Sequence, residues 1–98
     1  MYLVQILLPL SRSTEAKIGF EGVLGRLTHQ FGGATAYLNS PAQGLWNDGD
    51  DIKRDRVVTV EVMLDAFNPS WWSSYRTELE RDFSQEEIVI RRIEIERV

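Results

Sequence analysis

Apolar positions recur along the chain with two periods, and the switches between them divide it into six elements. Tyr2 to Leu8 is β-rich and apolar on both faces, the pattern of a central strand covered on each side. Pro9 has no amide hydrogen to give a ladder, so pairing weakens there. After the polar connection Ser11–Thr14, where Ser13 or Thr14 is placed to cap a helix, Ala16, Phe20, Val23, Leu24, Leu27 and Phe31 fall on one stripe at about 100° per residue. Ile18, Gly22, Gly25 and His29 lie opposite, with Gly19 at the edge. The three helical glycines weaken this helix by about 0.5–1 kcal/mol each relative to alanine. They either admit a close neighbour or are a cost carried by the apolar stripe.

Gly32-Gly33 stops the helix, because glycine accepts the left-handed conformation at a helix end, and Ala34–Leu38 follows as a short strand. Asn39 to Arg56 reads as a long irregular segment, with a short hairpin turning at Asp48-Gly49 as its one regular option. Val57 to Ala66 alternates strictly: Val58, Val60, Val62 and Leu64 on one face, Val57, Thr59, Glu61, Met63 and Asp65 on the other. Asn68-Pro69 starts a helix, asparagine as N-cap and proline first inside. Trp72, Tyr75, Leu79 and Phe83 then recur at core spacing, with Trp71 at the rim. In Glu87–Val98, Ile88 and Ile90 share one parity and Ile93 and Ile95 the other, which predicts a β-bulge at Arg91-Arg92.

The order β-α-β-β-α-β over residues 1–98 predicts a single α+β domain, the ferredoxin-like sandwich: a four-stranded antiparallel sheet with two helices on one face. The other face must then meet water, a ligand or a partner. The strand 57–66 offers it Val57, Thr59, Glu61 and Met63, while the first strand offers either Leu3, Gln5 and Leu7 or Tyr2, Val4, Ile6 and Leu8. The first choice sets Gln5 near Glu61, where two half-buried polar groups satisfy each other. So much apolar surface on a free face marks a contact, and it predicts a homodimer formed sheet against sheet. A buried Glu61 requires a partner such as Arg91 or Arg92.

Composition removes several functions. The net charge of -4 is spread along the chain, which argues against the clustered cations of a nucleic-acid footprint. The strand 57–66 lacks the aromatics on which RNA-recognition domains of this order stack bases. Without cysteine there is no disulfide, thiolate metal site or cysteine nucleophile, and a reducing cytoplasm suits the chain. MYLVQILLPL is too short to span a bilayer and lacks the charge and cleavage site of a signal peptide, so no membrane role is expected. The single histidine, His29, lies on the outward helix face, away from any serine–aspartate pair. Asp48-Gly49-Asp50-Asp51 does not have calcium-loop spacing, and no glycine-rich loop precedes a helix. No metal or cofactor is expected.

The residues Phe31-Gly32-Gly33, Thr35-Ala36-Tyr37, Pro41-Ala42, Gly44-Leu45-Trp46, Trp71-Trp72-x-x-Tyr75-Arg76 and Gln85-Glu86-Glu87-Ile88 resemble a pattern in small bacterial proteins that carry no assigned activity. In size and element order the chain is also similar to dimeric α+β barrel proteins, among them cofactor-independent monooxygenases. Two functions follow as expectations. The first is a non-catalytic homodimer binding a small, partly apolar molecule or a protein partner through Gln5, Tyr37, Trp46, Glu61 and Trp71. The second is a cofactor-independent enzyme of monooxygenase or isomerase type, with Glu61 as general base and Tyr37, Trp46 and Trp71 shaping its pocket.

Overall fold

In the computed structural model, which describes residues 1–9, 14–38 and 42–98, each predicted helix and strand has a counterpart. The elements are β1 (Tyr2–Pro9), α1 (Thr14–Phe31), β2 (Thr35–Ala36), β3 (Ala42–Asp48), β4 (Asp51–Leu64), α2 (Pro69–Asp82) and β5 (Ile90–Glu94). The sheet runs β2-β4-β1-β5, with β3 also paired to β4, and every pairing is antiparallel. The ferredoxin-like order therefore holds. Its second strand position is filled by two pieces, β2 against Val60–Glu61 and β3 against Asp51–Val57.

The main correction concerns the segment expected to be irregular. Residues 42–57 form a long hairpin in which Asp48 faces Asp51 and Gly49, at φ 64°, makes the tight turn. The expected turn position was right, but the hairpin is far longer than its polar composition implies, because backbone pairing needs no apolar side chain. β4 thus spans 14 residues, about 45 Å of extended chain, which matches the 43 Å long axis of the molecule. The capping expected of Ser13 or Thr14 lies outside the described residues and side chains.

The second correction concerns β5. Its register against β1 is continuous, from Ile6 opposite Ile90 to Tyr2 opposite Glu94, so there is no bulge at Arg91-Arg92. The change of parity has a simpler cause. Ile88 and Ile90 serve the helix-covered side, and Ile93 serves the other.

Strand alternation and the helix stripes meet in one core. Val4, Ile6 and Leu8 of β1 and Val58, Val60, Val62 and Leu64 of β4 lie under Phe20, Val23 and Leu27 of α1 and Trp72, Tyr75 and Leu79 of α2. Gly32, at φ 89°, ends α1 with its amide bonded to the Thr28 carbonyl. Gly22 and Gly25 face open space, whereas an added Cβ at Gly19 would come within 3.0 Å of the Phe83 ring. Two glycines are therefore tolerated, and one admits a close neighbour.

At the other helix Asn68 Oδ1 accepts from the amides of Ser70 and Trp71, as its N-cap position predicts. Trp72 lies between Phe31, 5.3 Å away, and Phe67, 5.9 Å away, nearly parallel to both. Burial pushes the neighbouring Tyr75 phenol up to about 12, against the opposing charge of Arg26. After α2, Glu80 accepts the Ile88 amide, holding the entry to β5.

Candidate functional site

The sheet face away from the helices resolves the ambiguity in the first strand. Because Val4, Ile6 and Leu8 are buried beneath the helices, Leu3, Gln5 and Leu7 must point the other way. Antiparallel register then sets them beside Met63, Glu61 and Thr59 of β4. On the far side Leu3 meets Ile93 and Gln5 meets Arg91.

A single row of hydrogen bonds crosses this face. Arg91 Nε donates to Gln5 Oε1 at 2.8 Å, and Gln5 Nε2 donates to Glu61 Oε1 at 2.8 Å. From the other edge, the Tyr37 hydroxyl donates to Glu61 Oε2 at 2.9 Å. Tyr37 is carried there by its own amide, bonded to the Thr59 carbonyl just beyond β2. The Gln5 amide thus has a defined sense, its oxygen toward the cation and its nitrogen toward the carboxylate. Glu61 raises the Tyr37 phenol above its ordinary value of 10.0, first through the hydrogen bond and then through its charge.

Three of the five expected site residues, Gln5, Tyr37 and Glu61, come together in this row. Trp71 does not join them. It lies in the helical layer, edge-on to Phe31 at 5.0 Å and near the Arg26 guanidinium, on the opposite side of the sheet. It sits at the rim of its helix stripe, as the sequence predicts, but that rim faces α1. Trp46 lies in β3 opposite Lys53, and its side chain is outside those described.

Arg91 was expected only as a direct partner of Glu61, and here it reaches that carboxylate through Gln5. Arg92 faces the helical side, over the Phe67 and Tyr2 rings at 4.5 and 5.1 Å. Strand alternation without a bulge was the available signal, since it pairs Arg91 with Ile93 on the open face. Beside the polar row the surface is apolar: Met63 and Ile93 remain about half exposed. Among the described residues no group of three potential ligands converges to hold a metal ion. None of the described helices is long and apolar enough to cross a membrane.

No protein-family model matches the chain, and no curated protein sequence matches it. Solved structures do. The periplasmic divalent cation tolerance protein CutA from Archaeoglobus fulgidus is similar with a TM-score of 0.61 at 17% identity, over 100% of this chain and 87% of that one. CutA1 from Pyrococcus horikoshii gives 0.60 at 14% identity, over 100% and 86%. A phage SAM lyase in complex with S-methyl-5'-thioadenosine gives 0.62 at 14% identity, over 95% and 80%. At these identities the shared property is the α+β fold, which is thereby established for this chain.

Proposed function

We propose that this protein is a non-catalytic homodimer, formed sheet against sheet, that binds a small partly apolar ligand or a protein partner. A cytoplasmic setting fits a chain without cysteine. The carrying observation is the character of the open sheet face. Met63 is 50% and Ile93 49% exposed, while in the adjacent row Tyr37, Glu61, Gln5 and Arg91 Nε are already hydrogen-bonded to one another. Such a surface loses less on leaving water than one of unpaired polar groups, because the bonded atoms keep their partners while the apolar ones are covered. Fold likeness does not select the function, since the neighbours include a cation tolerance protein and a lyase.

The enzymatic alternative has less support. Its pocket needed Trp71 beside Glu61, and the sheet stands between them. Sedimentation equilibrium tests the proposal directly. The wild-type chain is expected at twice its 11.3 kDa mass, and Met63→Lys is expected to shift it toward the monomer. A wild type that stays monomeric at high concentration ends the proposal.

A further inference from the structure

The arrangement of charge on the open face is self-complementary in one way and self-repelling in another. Across β4, β1 and β5 the polar row reads Glu61, Gln5, Arg91, and the next row reads Met63, Leu3, Ile93. Two copies placed face to face are related by a two-fold axis lying between the sheets, so each contact occurs twice. An axis perpendicular to the strands, over the polar row, sets Arg91 above the partner's Arg91 and Glu61 above the partner's Glu61. An axis parallel to the strands, over β1, exchanges the outer strands. Arg91 then lies above the partner's Glu61, Met63 above the partner's Ile93, and Leu3 above the partner's Leu3.

We infer that the open face takes a second copy of this chain about a two-fold axis running along β1, with two reciprocal Arg91–Glu61 ion pairs flanking a central Gln5. This rests on the proposed self-association and specifies its register. The hydrogen bonds within each copy need not break. Arg91 uses only Nε toward Gln5, which leaves its terminal nitrogens to donate. Each Glu61 oxygen accepts one bond in the row, and a carboxylate oxygen has a second lone pair. Facing sheets pack about 10 Å apart with strands within about 30° of alignment, a gap that arginine and glutamate span from opposite sides.

Sedimentation equilibrium on the full chain tests whether the polar row lies in the interface between copies. Arg91→Glu sets four carboxylates face to face under the axis along β1 and is expected to raise the dimer Kd by about tenfold or more. The double swap Glu61→Arg/Arg91→Glu restores the pairs and is expected to recover association. Under the perpendicular axis Arg91→Glu also crowds four carboxylates and the double swap again restores the balance. These variants therefore test whether the row lies in the interface, and a cross-link fixes the axis.

A charge-independent measurement covers a swap that fails to fold. The chain has no cysteine, so Leu3→Cys offers one thiol per copy. A short bis-maleimide is expected to join two copies under the axis along β1. The perpendicular axis separates these positions by four residues, about 13 Å along the strands, in addition to the gap between sheets.

Dissociation by Met63→Lys together with an unaffected Arg91→Glu, or with an uncoupled Leu3→Cys, overturns this register while leaving the proposed association standing, and an assembly of three copies overturns both. A Met63→Lys variant that associates like the wild type removes the association, and this inference with it.

Discussion

The two faces of β1 and β4 are built from the same ladder, one residue out of step, and they have opposite chemistry. Beneath the helices the paired positions are Val4 with Val62, Ile6 with Val60 and Leu8 with Val58, all at most 2% exposed and all aliphatic. On the open side Leu3 pairs with Met63, Gln5 with Glu61 and Leu7 with Thr59. The covered face gains from excluding water altogether. The open face keeps a polar row, but spends its hydrogen bonds internally, so that it tolerates water and is ready to lose it. On the proposed function, what marks this face for contact is that the polar groups of its row are paired with one another, more than that it is simply apolar.

Charge insertion at adjacent residues gives the strongest test of this difference. Val62→Lys buries an unpaired ammonium and costs several kcal/mol, enough to unfold much of the population in urea-free buffer. Met63→Lys, one residue on, is expected to change monomer stability by no more than about 0.5 kcal/mol, read by urea unfolding of dilute protein. Similar losses at both positions would erase the distinction between the faces.

Truncation in the helical layer is expected to be nearly as costly. Trp72→Ala removes a ring held between Phe31 and Phe67 and should cost about 3–5 kcal/mol. Trp71→Ala, at the rim of the same cluster, should cost distinctly less in the same unfolding experiment. On the open face, Gln5→Leu leaves the central strand position filled but cuts the row in two, for an expected loss of about 0.5–1.5 kcal/mol. A stabilised variant would show that the row is not needed by the monomer.

The smallest effect is a titration. Glu61→Gln should lower the Tyr37 phenol toward its ordinary value, followed by phenolate absorbance with Tyr37→Phe to assign the signal. Because the folded-state value lies above the unfolded one, the stabilisation from this contact is fully present below about pH 10 and is lost as pH rises through the folded value. An unshifted phenol would break the bond from Tyr37 to Glu61.

How much was legible follows from where the information lies. The N-cap at Asn68 and the stop at Gly32 are local events, set by residues within one turn, and both appear as their sequence predicts. The neighbourhood of Gln5 and Glu61 was legible in part: period-two alternation narrowed the first strand to two choices and chemistry favoured one, but the register decided it. Trp71 was not placed correctly. Helical spacing assigns it to a rim but does not say whether the rim faces a sheet or another helix. The β3–β4 hairpin was visible only at its turn, since Asp, Lys and Arg carry no periodic burial signal while backbone groups pair regardless of side chain.

The chain by itself determined the succession of elements, the aliphatic side of β4 and the limits of both helices, because periodicity, glycine and proline act over a few residues. Tertiary structure alone decided the rest. Strand register chose which half of β1 is buried, joined Arg91 to Glu61 through Gln5, and sent Trp71 to the far side of the sheet. Those outcomes depend on residues more than fifty positions apart in sequence, such as Gln5 and Glu61, and only pairing across the sheet brings them to one place.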